Sequence, residues 1–297
     1  TTDIYTLSLH DALPILLVVF LLMAAFSPVA MALRIGQIGP LLLLLMSCVA
    51  VLLWRDANRA AGAAWMGAVL VKVSPALLGL PFLLWRARRP ALVAGAVLAG
   101  LYVGALVLLG RVGDEWHYAT RVLPQIPWLA GHVSHSPFSA VLNHLTGGDV
   151  AMADYMRWQS LYGAALTLLY CAVLCTLRFF GTDFLRVLPF AIIGTTAASP
   201  LVEPHHFVAS YPAMFVQVAL WCGGRLSTRM MALSMVGWLP VMLSGSAALP
   251  HLGPWGLYVP GWANLWLWGV AAVAAWPCPA TNGKGAGGMR PAAPQSG

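Results

Sequence analysis

The chain has 297 residues, 60% of them apolar and 8% charged, with a formal net charge of +7. A soluble domain carries roughly 25% charged residues, so this composition excludes one and points to a chain whose main solvent is lipid. The basic residues sit in short clusters between apolar runs, which orients membrane helices and excludes the one-sided basic face of a nucleic-acid binder.

Residues 1–14 (TTDIYTLSLHDALP) lack an initiator Met and differ in character from the apolar run after them. They resemble a translated sequencing-adapter scar, so they are expected to be non-native, with native upstream sequence missing. Apolar runs then extend from Ile15 to Leu33, Ile38 to Trp54, Ala60 to Trp85, Ala91 to Gly110, Leu161 to Leu177, Val187 to Ala198, Phe207 to Cys222, Met230 to Ala248 and Leu257 to Trp276. About 20 apolar residues cross a bilayer as a helix; most runs qualify, while Val187 to Ala198 is short.

The run from Ala60 to Trp85 has Arg55 and Arg59 before it and Arg86, Arg88 and Arg89 after it, and Lys72-Val73-Ser74-Pro75 breaks its middle. A single span would place a basic cluster on each side of the membrane. Two helices of about a dozen residues, roughly 18 Å each, would instead dip in and return, with Lys72 and Pro75 near the bend. A kinked single span is the competing reading. The sequence thus predicts an all-α polytopic membrane protein over 15–276, with about eight transmembrane helices plus a re-entrant pair. A large loop is expected over 111–160, and a disordered cytoplasmic tail rich in Gly, Pro and Ala over 277–297.

With the re-entrant pair, Arg55, Arg59, Arg86, Arg88, Arg89, Arg178, Arg186, Arg225, Arg229, Lys284 and Arg290 all fall on the cytoplasmic side. Arg34, Arg111, Arg121 and Arg157 fall on the other. Gln37, the 111–160 loop and Ser199-Pro200-Leu201-Val202-Glu203-Pro204-His205-His206 then share the outer face. A carboxylate and two imidazoles at a membrane boundary are costly unless paired or wet, and so are candidates for chemistry. His205 and His206 are expected at the amino end of the helix starting at Phe207, where anions are favoured. Interfacial histidines bonded to carbonyls are the plain alternative.

Glu203 is either a ligand-binding or basic carboxylate or a solvated one. Lys72 either reaches an anion or snorkels. Gln37 either donates to a ligand or caps a helix. Asn143, His135 and His144 either line a binding groove or are solvated. The histidine pair lacks the i,i+4 spacing of a helical zinc site, and no C-x-x-C pair occurs, so no metal or cofactor is expected.

Several stretches resemble family 87 glycosyltransferases, the polyprenyl-phosphate-mannose-dependent mannosyltransferase type of the C-type membrane glycosyltransferase superfamily. Gly36-Gln37-Ile38-Gly39 is similar to that family's Gly-Gln start. Ala61-Gly62 through Gly67, Lys72, Ser74-Pro75 and Arg86 to Arg89 resemble its Gly-rich, Lys-x-x-Pro, basic-turn block. Ser136-Pro137-Phe138-Ser139-Ala140-Val141-Leu142-Asn143 stands where its Asn-Gln-Ser loop is found. Ser199-Pro200 with His205-His206 resembles its Ser-Pro-x-x-x-x-His-His element, with Glu203-Pro204 replacing the more usual residues.

The resemblance implies transfer of a hexose, mannose above all, from a polyprenyl-phosphate donor to a glycolipid or glycan hydroxyl at the outer face of a bacterial plasma membrane. His205, His206 and Glu203 would act in catalysis; Lys72, Gln37, Asn143 and His135 would bind donor phosphate or sugar. The family's basic Asp lies in an outer loop before the Gly-Gln block, which nothing here matches; an N-terminally truncated fragment is expected. Two other classes remain open: a transporter or flippase, which should show paired broken helices, and an inactive membrane scaffold.

Overall fold

A computed structural model describes Pro28 and residues 37–122, 136–147, 151–199, 204–244 and 256–276. Among these residues there are eleven α-helices and no strand. Helix α1 (Gly39–Trp54) opens with Pro40 in its first turn, where the missing N–H costs nothing. It stops at Arg55 and Asp56, the latter at φ 57°.

Helix α2 (Asn58–Val71) leads to Lys72, whose extended backbone ends the helix. Pro75 explains the stop: were the helix to continue, its ring would clash with the Val71 carbonyl, to which it has no N–H to donate. A 3-10 turn (Ser74–Leu78), helix α3 (Gly79–Leu84) and a second 3-10 turn (Arg86–Arg88) bring the chain back. The outward leg is about 21 Å long and the return about 19 Å, so the two legs match. Trp65 pins them together: its Nε1 donates to the Pro75 carbonyl at 2.8 Å, and its ring meets Phe82 edge-on at 5.3 Å. A Cβ at Gly95 would lie 2.6 Å from that indole, so the helix after the hairpin approaches through glycine.

Both ends of the hairpin meet at Arg88. Its Nη1 donates to Asp56 Oδ1 at 2.6 Å, to Asn58 Oδ1 at 2.9 Å and to the Leu53 carbonyl at 3.4 Å. Its guanidinium also sits 4.8 Å above the Phe184 ring. The segment from Asn58 to Arg88 therefore leaves one point and returns to it, as the basic clusters on both flanks predict.

Helix α4 (Arg89–Leu108) is next, then α5 (Val112–His117) and a π-helical turn (Tyr118–Val122). Helix α6 (Pro137–Thr146) precedes the 28-residue α7 (Met152–Phe179). Much of the expected 111–160 loop is thus helical, and α7 starts nine residues before the apolar run at Leu161. Helix α8 (Phe184–Ala197) is capped by Asp183, which accepts from Leu185 N. It is buried on nearly every side and forms the centre of the molecule. A 3-10 turn (Pro204–Ala209), α9 (Tyr211–Cys222), α10 (Thr228–Met242), a 3-10 turn (Gly256–Tyr258) and α11 (Val259–Ala275) complete the described chain.

Around α8 the core includes a stack of Tyr170, Phe190 and Trp268, with centroids 5.4 and 5.1 Å apart. Gly194 makes room for it, since a Cβ there would fall 2.6 Å from the Tyr170 ring. Two helices, Arg86–Leu108 and Ala153–Phe179, are long and apolar enough to cross a membrane. Five shorter apolar helices accompany them: Gly39–Trp54, Ser74–Leu84, Phe184–Ala197, His206–Cys222 and Val259–Ala275. A 16-residue helix such as α1 rises about 24 Å, short of the roughly 30 Å hydrocarbon core.

The two ends of the bundle differ in chemistry. At one end, Arg178 Nε donates to the Leu84 carbonyl at 3.0 Å and Trp85 Nε1 to the Thr182 carbonyl at 2.9 Å. Arg186 Nη2 donates to the Ala274 carbonyl at 2.8 Å, and Arg225 pairs with Asp183. Together with Arg88 these bonds form a basic seam. Arg111 lies at the far end of α4 and pairs there with Asp114 at 2.8 Å. Arg88, Arg178, Arg186 and Arg225 thus share one end and Arg111 stands at the other; Arg34, Lys284 and Arg290 lie outside the described residues.

Candidate functional site

The end opposite the basic seam gathers most of the polar residues singled out in the sequence. Gln37 immediately precedes α1 and is exposed. Helix α2 runs antiparallel to α1: a Cβ at Gly67, in the second half of α2, would lie 3.4 Å from Leu45 Cδ2, in the first half of α1. That course puts the hairpin bend, with a half-buried Lys72, level with the first turn of α1.

Helix α9 runs parallel to α1: a cavity between them is lined by Ala50, Val51, Trp54 and Arg55 at the end of α1 and by Phe215, Val216 and Ala219 in the middle of α9, while the turn before α9 still packs on α1. The 3-10 turn Pro204–Ala209 precedes α9 and packs against α1, so it meets the half of α1 nearest Gln37. That turn carries His205 and His206. His206 is half-buried; the His205 side chain lies outside the described residues, as do Glu203 and His135.

One expectation needs correction. His205 and His206 do not begin the α-helix: they lie in the 3-10 turn, and α9 starts at Tyr211. Pro212 in the first turn of α9 sets this start, since proline fits only where its missing N–H is not needed.

The turn is held in place from behind. Ser210 Oγ donates to Thr196 Oγ1 at 2.9 Å, and both residues are buried at the end of α8. Tyr162 Oη donates to the Ala197 carbonyl at 3.4 Å, which ties α7 to the same place. Helix α6 then docks on α7, with Phe138 packed edge-on against Tyr155 at 5.4 Å and tilted against Tyr162 at 5.2 Å. Ser136 caps α6 by accepting from Ser139 N at 3.1 Å. This brings Asn143 to the same end, where its Nδ2 donates to Tyr258 Oη at 3.2 Å.

Gln37, Lys72, Asn143 and the His205–His206 turn therefore share one end of the bundle. Tyr258, Ser210 and Thr196 support it and were not singled out in the sequence. Tyr258 is 115 residues from Asn143 in the chain, and no local pattern joins them. Among the described residues, no group of three His, Cys, Asp or Glu side chains is placed to hold a metal ion.

No curated protein and no solved structure matches the chain. The family pattern of glycosyltransferase family 87 matches residues 4–204. The match begins within the 1–14 stretch that looks foreign by composition and ends one residue before His205. It spans more than half of the chain, taking in Gln37, the hairpin, the 111–160 region and Glu203, and on that basis the chain belongs to glycosyltransferase family 87.

Proposed function

We propose that the chain is a polytopic membrane enzyme that transfers a hexose, mannose in the first instance, from a polyprenyl-phosphate donor to a glycolipid or glycan hydroxyl. The observation that carries this reading is the gathering of Gln37, Lys72, Asn143 and the His205–His206 turn at the end away from the basic seam. The excess of arginine on the seam makes that end cytoplasmic under the positive-inside tendency, and the site faces outward. Nucleotide sugars are not available there, so a lipid-linked donor suits the location.

In the reaction, the acceptor oxygen forms a bond to the anomeric carbon as the bond from that carbon to the phosphate oxygen breaks. The phosphate leaves with the electron pair and gains charge. Lys72 and one imidazole stabilise that charge in a site of low dielectric constant. The acceptor proton passes to a carboxylate, with Glu203 the candidate in this chain. Gln37 and Asn143 orient the sugar hydroxyls, and His135 completes the acceptor side.

The test is transfer of radiolabelled mannose from polyprenyl-phosphate mannose in membranes that carry the full reading frame. The two histidine variants His205→Ala and His206→Ala should differ, and at least one should lose transfer by ~100-fold or more. Normal turnover by both would overturn the assignment. Membrane placement is tested separately: Arg55→Cys and Arg86→Cys should label from the same side of sealed vesicles, and labelling from opposite sides would rule it out.

A further inference from the structure

The cavity between α1 and α9 lies toward the basic end, away from the candidate site, and it opens on the outside of the bundle, where Val51 is 50% exposed. It is a groove of about 290 Å³, close to the roughly 300 Å³ at which ligand pockets begin. Its floor is formed by Ala50 and Val216, both buried, and its walls by Val51, Phe215 and Ala219. All five are apolar. Polar groups line one end only, where Trp54 and Arg55 close α1. The Leu53 carbonyl beside them accepts from Arg88, so this end belongs to the basic seam. Arg55 is exposed, no described side chain pairs with it, and no acidic side chain lines the groove.

The groove is thus apolar toward the middle of the bundle and cationic at the seam. A matching ligand has an apolar chain that lies along the helices and an anionic head at the seam. We infer that the groove seats an acyl chain of an anionic phospholipid, with the headgroup phosphate beside the Arg55 guanidinium and the Trp54 indole at headgroup level. Leu44 lies two turns from Val51 on the same face of α1 and is 59% exposed, so apolar surface continues beyond the groove. The helix rises about 16 Å between Arg55 and Leu44, and one leaflet is half of the roughly 30 Å hydrocarbon core. An acyl chain therefore meets apolar surface over the full depth of its leaflet. A polyprenyl donor fits the groove less well, because the proposed reaction holds its phosphate at the opposite end, near Lys72 and the histidine turn. The lipid seat rests on the membrane placement proposed above and not on the transfer reaction.

The full chain, purified in detergent, is titrated with phosphatidylglycerol and with phosphatidylcholine, and bound lipid is counted by native mass spectrometry. Phosphatidylglycerol should bind about 5-fold more tightly, the weight of one arginine beside an anionic headgroup. Arg55→Gln should reduce that preference to less than ~2-fold, while Arg229→Gln, outside the groove, should leave it in place. Filling the groove should act on both lipids: Ala219→Phe should weaken each by ~10-fold or more. Val51→Phe, on the facing wall and half exposed, should do the same and reads the groove if Ala219→Phe fails to fold. Lipid binding unchanged in both filled variants would overturn the seat, as would equal loss of preference in Arg55→Gln and Arg229→Gln. Displacement of phosphatidylglycerol by equimolar polyprenyl phosphate would assign the groove to the donor chain, and a lipid-free dimer would assign it to a second copy; either would overturn the proposal. Membrane placement is read separately by the vesicle labelling above, so the two failures are distinct.

Discussion

Arg88→Met should lower the stability of the hairpin by about 2–3 kcal/mol. The side chain is 9% exposed and carries the bonds that close the hairpin. Its Nη1 has two hydrogens shared among three acceptors, so two charge-assisted bonds are lost, at about 1.5 kcal/mol each. Loss of the cation over Phe184 adds about 1 kcal/mol. Two effects reduce the sum. Asp56 is 78% exposed, so its carboxylate returns to water and not to an unpaired buried state. The Arg88 Nε is buried without a partner among the described residues, and methionine removes that defect, recovering about 1 kcal/mol. The predicted change corresponds to a fall in Tm of roughly 3–5 °C for a chain of this length, read from intrinsic tryptophan fluorescence of the detergent-solubilised protein on heating. Asp56→Asn, by contrast, should cost less than about 1 kcal/mol, since it weakens an exposed partner only. A Tm for Arg88→Met within ~1 °C of the parent would show that the hairpin closes without this bond set and refute the reasoning.

The packing makes two further predictions. Gly62→Ala places a Cβ against the backbone of Ala91, which has no flexible end to move aside, so α2 and α4 must separate. A loss of about 1–3 kcal/mol is expected in the same melting assay, while Gly100→Ala, with no described atom near its Cβ, should be neutral or slightly stabilising. Tyr258→Phe removes the acceptor for Asn143 and should weaken the docking of α6 by about 1 kcal/mol, seen as faster hydrogen exchange over Pro137–Thr146 with the melting temperature barely changed.

The hairpin was legible because two independent signals agreed: a helix breaker at Lys72-Val73-Ser74-Pro75 and arginines at both flanks. One gave the bend and the other required the ends to meet. The start of α7 was not legible. Met152 to Ser160 is polar, and a hydropathy reading treats a polar helix that projects beyond an apolar run as loop. The 3-10 turn at Pro204–Ala209 was hidden for a different reason. Apolar composition reports burial but not whether the backbone bonds to the third or the fourth residue back, and only Pro212 fixes where the α-helix begins. The gathering of Gln37, Lys72 and the histidine turn could be read from the direction of each crossing. Its supports could not. The bonds from Asn143 to Tyr258, from Tyr162 to Ala197 and from Ser210 to Thr196 join residues 115, 35 and 14 positions apart.

The contrast between the two ends sorts the effects of mutation. The basic seam is cross-linked by arginines and a tryptophan that tie successive helices to one another, each bond closing a long stretch of chain. The opposite end is assembled from short turns held by single neutral hydrogen bonds of about 1 kcal/mol each. Local opening is therefore easiest at the end that carries the candidate site, where under the proposed function a lipid-linked donor and a bulky acceptor both gain access. Stability and transfer should then separate by position. Arg88→Met should melt earlier yet keep the KM for the donor in the fraction that remains folded, because it lies the length of α2 from Lys72. Whichever of His205→Ala and His206→Ala loses transfer should leave the melting temperature within a few degrees of the parent. If Arg88→Met lost donor binding while fully folded, the two ends would be coupled through the hairpin, and the bend at Lys72 would have to shift with its base.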